Sequence, residues 1–248
     1  MQQYIVKPND TLFLIAKEFD VPLAQLIEAN PQIADPNMIQ VGQTIIIPDI
    51  PPVPEQAVTI VANALSVIED VIMTDWDSAM RRTEEIRADL DALIPIMEDA
   101  QVPRNVINGL NAAVGALEQN IRQRRTFSAI SMANRITQLM ADALDFFHVI
   151  VPTDLMRLAF FARQIIVNVE QNDWPEAFQN YRRALTVWER VGPELQDVYA
   201  SDVTAFEQVL DRINEAIDRR DYGAAINNAN RMLELLNVLA SDFEQLYT

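Results

Sequence analysis

The spacing of hydrophobic residues in the first part of the chain predicts a strand followed directly by a helix. Residues Tyr4–Val6 are β-prone, and the Lys-Pro-Asn-Asp sequence at 7–10 is typical of a turn. Leu12, Ile15 and Ala16 then fall at i, i+3 and i+4, which places them on one face of a helix. A complete strand–turn–helix unit is therefore expected within the first twenty residues.

The pattern then predicts a second short helix and a second strand. Leu23, Leu26 and Ile27 repeat the helical spacing, and Asn30-Pro31 ends that helix because proline disfavours the helical conformation of the residue before it. After a Val-Gly turn, the run Gln43–Ile47, in which every residue after Gln43 is β-branched, is expected to form a strand. The predicted order for residues 1–50 is strand, helix, helix, strand, a small α+β module.

Beyond a short proline-rich tract at 51–54, the hydrophobic spacing becomes helical and stays so to the end of the chain. Val61, Leu65, Ile68 and Ile72 illustrate one such apolar stripe. The pattern predicts an all-α domain of about eight helices. The expected helices span 54–73, 75–100, 104–124, 127–148, 152–172, 174–199, 202–219 and 222–246.

The helical part also contains an internal repeat. With an offset of 98 residues, Asp75-Trp76 aligns with Asp173-Trp174 and Pro95 aligns with Pro193. We interpret this as a duplicated four-helix unit, with helical repeat 1 at 55–150 and helical repeat 2 at 151–248. The prolines inside the second helix of each repeat are expected to bend or break it. The repeats could form two four-helix bundles in series or one continuous stack.

Composition excludes several classes of protein and partner. Half of the 248 residues are hydrophobic, so a sizeable core can be buried, and the formal net charge is −17. A basic footprint for nucleic acid or an anionic membrane is missing from the overall composition. The chain has no cysteine, which excludes disulfides and thiolate sites. No apolar run approaches the roughly 18 residues of a membrane span, and the folded pattern begins too early to leave room for a secretory signal.

One stretch carries a family resemblance. The sequence "YIVKPNDTLFLIAKEFDVPLAQLIEANPQI…PNMIQVGQTIIIP" resembles a LysM module from end to end. The matching positions include Asp-Thr-Leu in the first turn, Asn30-Pro31, and the Val-Gly-Gln before the closing Ile-Ile-Ile-Pro. The family usually has glycine where this chain has Asn9, and asparagine tolerates a left-handed backbone better than most residues. The resemblance covers about the first fifth of the chain.

The resemblance implies binding of N-acetylglucosamine-containing polymers, either peptidoglycan or a chitin-like glycan, in a shallow groove between two loops. Carried onto this chain, the implied glycan-binding residues are Asn9, Asp10, Thr11, Leu12, Phe13, Pro31, Gln32, Ile33 and Ile39. Structural roles compete with this interpretation, because Leu12, Ile33 and Ile39 could be core residues. Asp10 or Thr11 could likewise serve only as the cap of the first helix.

Residues for catalysis are scarce, and we predict that the protein is not an enzyme. His148 is the single histidine, and its place at the end of a predicted helix favours a structural role. A glycosidase needs two carboxylates across a cleft, whereas the acidic residues here are spaced as solvated helix faces. Trp76 and Trp174 could stack on sugars, but their matched places in the repeat favour packing. We expect no cofactor and no metal site.

The function predicted from sequence is non-catalytic glycan binding by the N-terminal module. The helical domain would serve as a scaffold for self-association or for a coat-protein partner. A LysM chain without a secretory signal resembles spore-coat proteins, so the expected location is the spore envelope after synthesis in the cytoplasm. A cytoplasmic adaptor or sensor of wall fragments is the alternative, and a wall-lytic enzyme is a weaker one.

Overall fold

A computed structural model of the chain describes residues 2–19, 21, 23–33, 35–36 and 38–246. For residues 17, 24, 28, 194–198, 242 and 244–246 it describes the backbone alone. The chain divides into two compact units. The first unit contains Met1–Val53 together with Phe146–Val149, and the second contains Pro54–Asp145 together with Ile150–Thr248.

The first unit has the predicted strand–helix–helix–strand order. Its elements are β1 (Gln2–Ile5), α1 (Leu12–Glu18), α2 (Leu23–Glu28) and β2 (Thr44–Ile47). The strands pair antiparallel, with Tyr4 opposite Ile45. Alternate strand residues face a small core, where Tyr4, Ile45 and Ile47 are buried with Leu12, Ile15 and Leu26. The sheet is thus covered by the two helices on its apolar face.

Two local backbone features fix the turns of this unit. Asn9 has φ = 70°, the left-handed conformation that the substitution of asparagine for glycine was expected to keep. Thr11 is the N-cap of α1, since its side-chain oxygen accepts a hydrogen bond from the Leu14 amide at 3.1 Å. Gly42 has φ = 86° in the turn that leads into β2, where a side chain would be strained.

Asn30 joins α2 to β2 through a fully buried amide. Its Nδ2 donates to the carbonyl oxygens of Leu26 and Ile46, both at 2.7 Å, and its Oδ1 accepts from the Ile46 amide at 2.7 Å. Gln32 Nε2 also donates to this oxygen at 2.9 Å. A buried amide with every bond satisfied specifies one arrangement of its neighbours. Asn30 therefore fixes the end of α2 against the sheet.

The second unit is mostly helical, as predicted. Its helices are α3 (Glu55–Ile72), α4 (Trp76–Asp99), α5 (Arg104–Arg122), α6 (Thr126–Leu144), α7 (Thr153–Glu170), α8 (Trp174–Arg219) and α9 (Tyr222–Leu246). Successive helices from α3 to α6 pack on one another, and α3 also packs on α6. These four helices close into an antiparallel bundle whose interior is lined by apolar residues such as Ile86, Leu90 and Leu117.

The predicted break between residues 199 and 202 takes a different form. Helix α8 is continuous from Trp174 to Arg219 except at Tyr199, whose φ of −124° and ψ of 38° are not helical. The chain reverses there: the rings of Trp188 and Phe206 stack with centroids 4.1 Å apart, whereas a straight helix would separate these residues by about 27 Å. A Cβ on Gly192 would lie 2.9 Å from Trp188, so glycine permits this close packing. No proline or glycine follows Tyr199 closely, and helix resumes at once.

The prolines inside the helices do not break them. Helix α4 runs unbroken through Pro95, and the interruption of α8 lies at Tyr199 rather than at Pro193. A break is therefore absent at both prolines, and the alternative of a bend stays a prediction. The surrounding packing holds α4 in a helix despite the amide that proline lacks, an example of tertiary contacts overriding local preference.

The two halves of the helical unit meet where α6 packs on α7. Asn134 is fully buried and donates to the carbonyl oxygen of Phe160 at 2.9 Å, while Arg163 donates to Asn134 Oδ1 at 3.3 Å. Burial lowers the pKa of Arg163 to about 10. Nearby, Arg157 bridges Asp142 on α6 and Asp154 on α7 at 2.9 and 3.0 Å. The two halves thus pack against each other within one compact unit.

Five helix–helix turns in this unit share one backbone geometry. Each has one residue with a positive φ, between 51° and 62°: Thr74, Gln101, Arg124, Asn172 and Arg220. The residue after each donates its amide to a carbonyl five residues back, as in the pair from Asp75 to Asp70 and the pair from Asp173 to Asn168. Thr74 and Asn172 are separated by the repeat offset of 98. The duplication as a whole stays a prediction.

The end of α6 and the proline-rich tract differ from expectation. Helix α6 ends at Leu144, four residues before the predicted end, so His148 lies beyond the helix rather than at its C-terminus. The His148 amide donates to the carbonyl oxygen of Pro51 at 2.8 Å, and Pro52 forms an isolated parallel bridge with His148. The proline-rich tract at 51–54 is thus hydrogen-bonded to the segment that follows α6. None of the described helices is long and apolar enough to span a bilayer.

Candidate functional site

A shallow groove of about 260 Å³ lies where the start of α1 faces α2 and the loop that follows it. Its walls are mostly apolar. They are formed by Asp10, Thr11, Leu12, Phe13, Leu23, Ile27, Pro36 and Ile39. Phe13 is 61% exposed and therefore presents an aromatic face at the groove that a ligand could cover. Asp10 is the single charged residue among the described lining residues.

Asp10 holds the polar edge of the groove in place. Its Oδ2 accepts hydrogen bonds from the Lys7 amide at 2.7 Å and from the Tyr4 hydroxyl at 2.8 Å. The Lys7 amide and then the Tyr4 hydroxyl lower the pKa of the Asp10 carboxyl below its ordinary value of 3.8. Tyr4 also packs edge-to-face against Phe19, with centroids 5.1 Å apart. The groove edge is thereby connected to the core of the module.

This network predicts that glycan binding weakens in acid. Because folding lowers the pKa of Asp10, its ionised carboxyl stabilises the folded groove edge. This stabilisation is complete above pH about 4 and is lost as pH falls through the folded pKa. Binding to an uncharged glycan should be constant from neutral pH to about pH 4 and decline below it. The Asp10→Asn variant should bind more weakly at neutral pH and should lack this decline.

The measurement is a pH series of pull-downs for wild type and Asp10→Asn side by side. Other carboxyl groups also become protonated in acid, so the informative quantity is the difference between the two proteins. Parallel acid profiles for wild type and variant would contradict a role for the Asp10 carboxylate.

The structure brings together five of the nine residues implied by the family resemblance. The groove is lined by Asp10, Thr11, Leu12, Phe13 and Ile39, although Leu12 is 2% exposed and contributes mainly to the core. Asn9 forms the left-handed turn beside the groove, and Ile33 is buried in the core. Pro31 and Gln32 are exposed on the loop after α2, and neither they nor Asn9 and Ile33 line the groove. Direct glycan contact by the nine residues stays a prediction.

Three lining residues were missed by sequence reasoning. Leu23 and Ile27 were recognised only by their helical spacing, and both are partly buried in the core while also forming the groove wall. Pro36 lies in the same loop as Ile39 and was not considered. The i, i+4 spacing of Leu23 and Ile27 could have indicated a shared face, but the spacing does not tell which neighbour that face meets.

Comparison with known proteins supports the module and is confined to it. Residues 4–48 match the LysM domain family, which confirms the resemblance found in the sequence. An endolysin of Bacillus phage PZA is 54% identical over 43 residues, 17% of this chain and 17% of that protein. The N-acetylmuramoyl-L-alanine amidase XlyA of Bacillus subtilis (strain 168) is 54% identical over 46 residues, 18% of this chain and 15% of the amidase. No solved structure matches significantly.

These similarities end where the helical unit begins. The chain spans less than a fifth of the length of either curated relative, so the activity in their names is not transferred by the match. Within the described residues, no group of three or more histidine, cysteine, aspartate or glutamate side chains could hold a metal ion. Residues 4–48 are a LysM domain, and this assignment supports binding of a peptidoglycan-type glycan by that segment.

Proposed function

We propose that the protein binds an N-acetylglucosamine-containing polymer through its N-terminal module and performs no catalysis on it. The groove beside α1 supports this proposal, because it lies within the segment that matches the LysM family and exposes Phe13 beside polar groups at Asp10 and Thr11. Apolar side chains can cover sugar faces while polar groups meet acetamides. Because such a ligand is uncharged at its sugar rings, the acidic character of the chain does not oppose binding.

The decisive pair of variants is Phe13→Ser and Leu14→Ser. These neighbours are 61% and 48% exposed, but only Phe13 lines the groove. Phe13→Ser should weaken sedimentation with insoluble peptidoglycan or chitin about tenfold, the effect of removing one aromatic contact. Leu14→Ser should leave binding unchanged. A fragment of residues 51–248 should not sediment. Equal losses for both variants, or sedimentation of the fragment, would contradict the proposal.

We further propose that the helical unit supplies several modules in one assembly, through self-association or a coat-protein partner. One shallow groove buries few sugar units and should bind modestly, whereas several linked modules on a repeating polymer gain avidity by about 10² to 10⁴. The opposing influence is the net charge of −17, which favours monomers. Light scattering over a concentration series, with glycan binding measured in parallel, tests this. A strict monomer that binds as tightly as a protein with tandem modules would rule it out.

The spore envelope is the proposed location, by resemblance to spore-coat LysM proteins. A cytoplasmic adaptor or sensor of wall fragments is the second candidate, supported by the same groove with a different partner for the helices. Accumulation only in the mother cell during sporulation favours the first, and accumulation in growing cells favours the second. A lytic enzyme is the weakest candidate, suggested by the names of the two relatives. Release of sugar fragments from wall by the pure protein would establish it.

A further inference from the structure

Two turns at one end of the α3–α6 bundle expose apolar side chains. Ile72 and Met73, at the end of α3, are 64% and 77% exposed, and Phe127, in the first turn of α6, is 39% exposed. Short turns join the four antiparallel helices, so the C-terminus of α3 and the N-terminus of α6 lie at the same end of the bundle. These two helices also pack on each other. We name Ile72, Met73 and Phe127, with the arginines described next, the bundle tip.

The bundle tip is also basic, in contrast to the whole chain. Arg122, Arg124 and Arg125 are exposed and have no ion-pair partner in the part of the chain that the structure describes. Residues 70–82 and 122–125 together contain five arginines and three aspartates, whereas the chain as a whole carries −17. One of those aspartates, Asp70, is paired with Arg82 at 2.9 Å, and another, Asp75, caps α4.

The second half of the helical unit offers an internal comparison. The same turn geometry recurs at Asn172 and Arg220, so residues 168–180 and 218–221 occupy the matching positions. Those two segments contain two arginines, Arg219 and Arg220, and five acidic residues. Two further arginines, Arg182 and Arg183, lie just outside the first segment. The positions matching Ile72 and Met73 are Glu170 and Gln171. The start of α9 also exposes an aromatic side chain, Tyr222 at 51%, whose hydroxyl donates to Glu170 Oε1 at 2.6 Å. Within the described residues, an exposed Ile-Met pair beside unpaired arginines is thus found in the first half and not at the matching positions of the second.

We infer that the bundle tip docks on the surface of an anionic lipid bilayer. Guanidinium groups pair with lipid phosphates, and aliphatic side chains next to them would enter the apolar region behind the headgroups. A soluble polyanion would engage the arginines but leave Ile72 and Met73 in water. The two turns lie at the same end of the bundle, so both can meet a flat membrane surface together. Negative charges that lie more than about 10 Å from the bundle tip act on it only weakly, because salt screens them.

The chain has no cysteine, so a single fluorophore can be placed at will. An environment-sensitive dye on Met73→Cys should shift to the blue with vesicles of phosphatidylglycerol and phosphatidylcholine, and not with phosphatidylcholine alone. The same dye on Gln171→Cys, at the matching turn, should not shift. Equal shifts at both sites, no shift at either, or a shift with soluble polyphosphate in the absence of lipid would overturn the inference.

Vesicle co-sedimentation of the full chain tests the same surface without a label. Arg124→Gln with Arg125→Gln should weaken binding about thirtyfold, because each arginine at an anionic surface contributes a factor of about five. Ile72→Ser with Met73→Ser should weaken it about tenfold or more. Two controls should bind as wild type does: Val58→Ser, at a side chain 59% exposed on the body of α3, and Arg104→Gln, at the opposite end. Losses in the controls as large as those in the tip variants would refute docking by the tip.

Discussion

Replacing Asn30 with alanine is expected to unfold the N-terminal module, abolish glycan binding and leave the helical unit folded. The buried amide makes three bonds to the main chain of Leu26 and Ile46, and alanine would leave the Ile46 amide and carbonyl without these partners. Each unsatisfied buried group costs about 1–3 kcal/mol, so the total loss is about 3 kcal/mol or more. A module of this size has only a few kcal/mol of stability, and the loss removes most of it.

Hydrogen exchange resolved along the chain measures this prediction. Protection should disappear in residues 2–48 of Asn30→Ala and persist in α3 to α9. Gln32→Ala is the control, since it removes only the exposed side chain that donates to Asn30 Oδ1 at 2.9 Å. That variant should keep its protection. Wild-type protection in Asn30→Ala would show that the buried amide does not hold the module together.

Trp174→Ala should destabilise the helical unit by about 3–5 kcal/mol, the usual cost of removing a large buried aromatic side chain. Trp174 is 7% exposed, lies in the core of the second half, and donates its indole N–H to Asn172 Oδ1 at 2.7 Å. The repeat led us to expect the same role for Trp76, but Trp76 is only half-buried. Trp76→Ala should therefore cost less, about 1–2 kcal/mol.

Denaturant titration of both variants, followed by far-ultraviolet circular dichroism, gives these free energies. Glycan binding should be unchanged in each variant under conditions where it remains folded, because neither tryptophan lines the groove of the module. Equal destabilisation by the two substitutions would mean that Trp76 contributes more to stability than its partial burial indicates. A folded Trp174→Ala variant with weaker glycan binding would reassign that residue from packing to binding.

The regular parts of this protein follow directly from local sequence. Turn chemistry and apolar spacing located both strands and the helices to within a few residues, including the reversal of α8 at Tyr199, which falls at the predicted boundary between 199 and 202. Asn9 could be placed in a left-handed turn because few other residues adopt that backbone conformation without cost. The LysM motif was equally visible, because it consists of fixed residue types at fixed spacing within one short segment.

Tertiary structure decided which residues meet. Spacing shows that Leu23 and Ile27 share a helix face, but only packing determines that this face forms a groove wall, and only packing places Ile33 in the core. The reversal at Tyr199 depends on the stacking of Trp188 on Phe206, residues far apart in sequence. The bundle tip likewise gathers residues near 72 and near 124, some fifty positions apart, into a basic and apolar surface that the overall charge of −17 conceals. Local sequence fixes backbone preferences, whereas a surface exists only after distant segments pack.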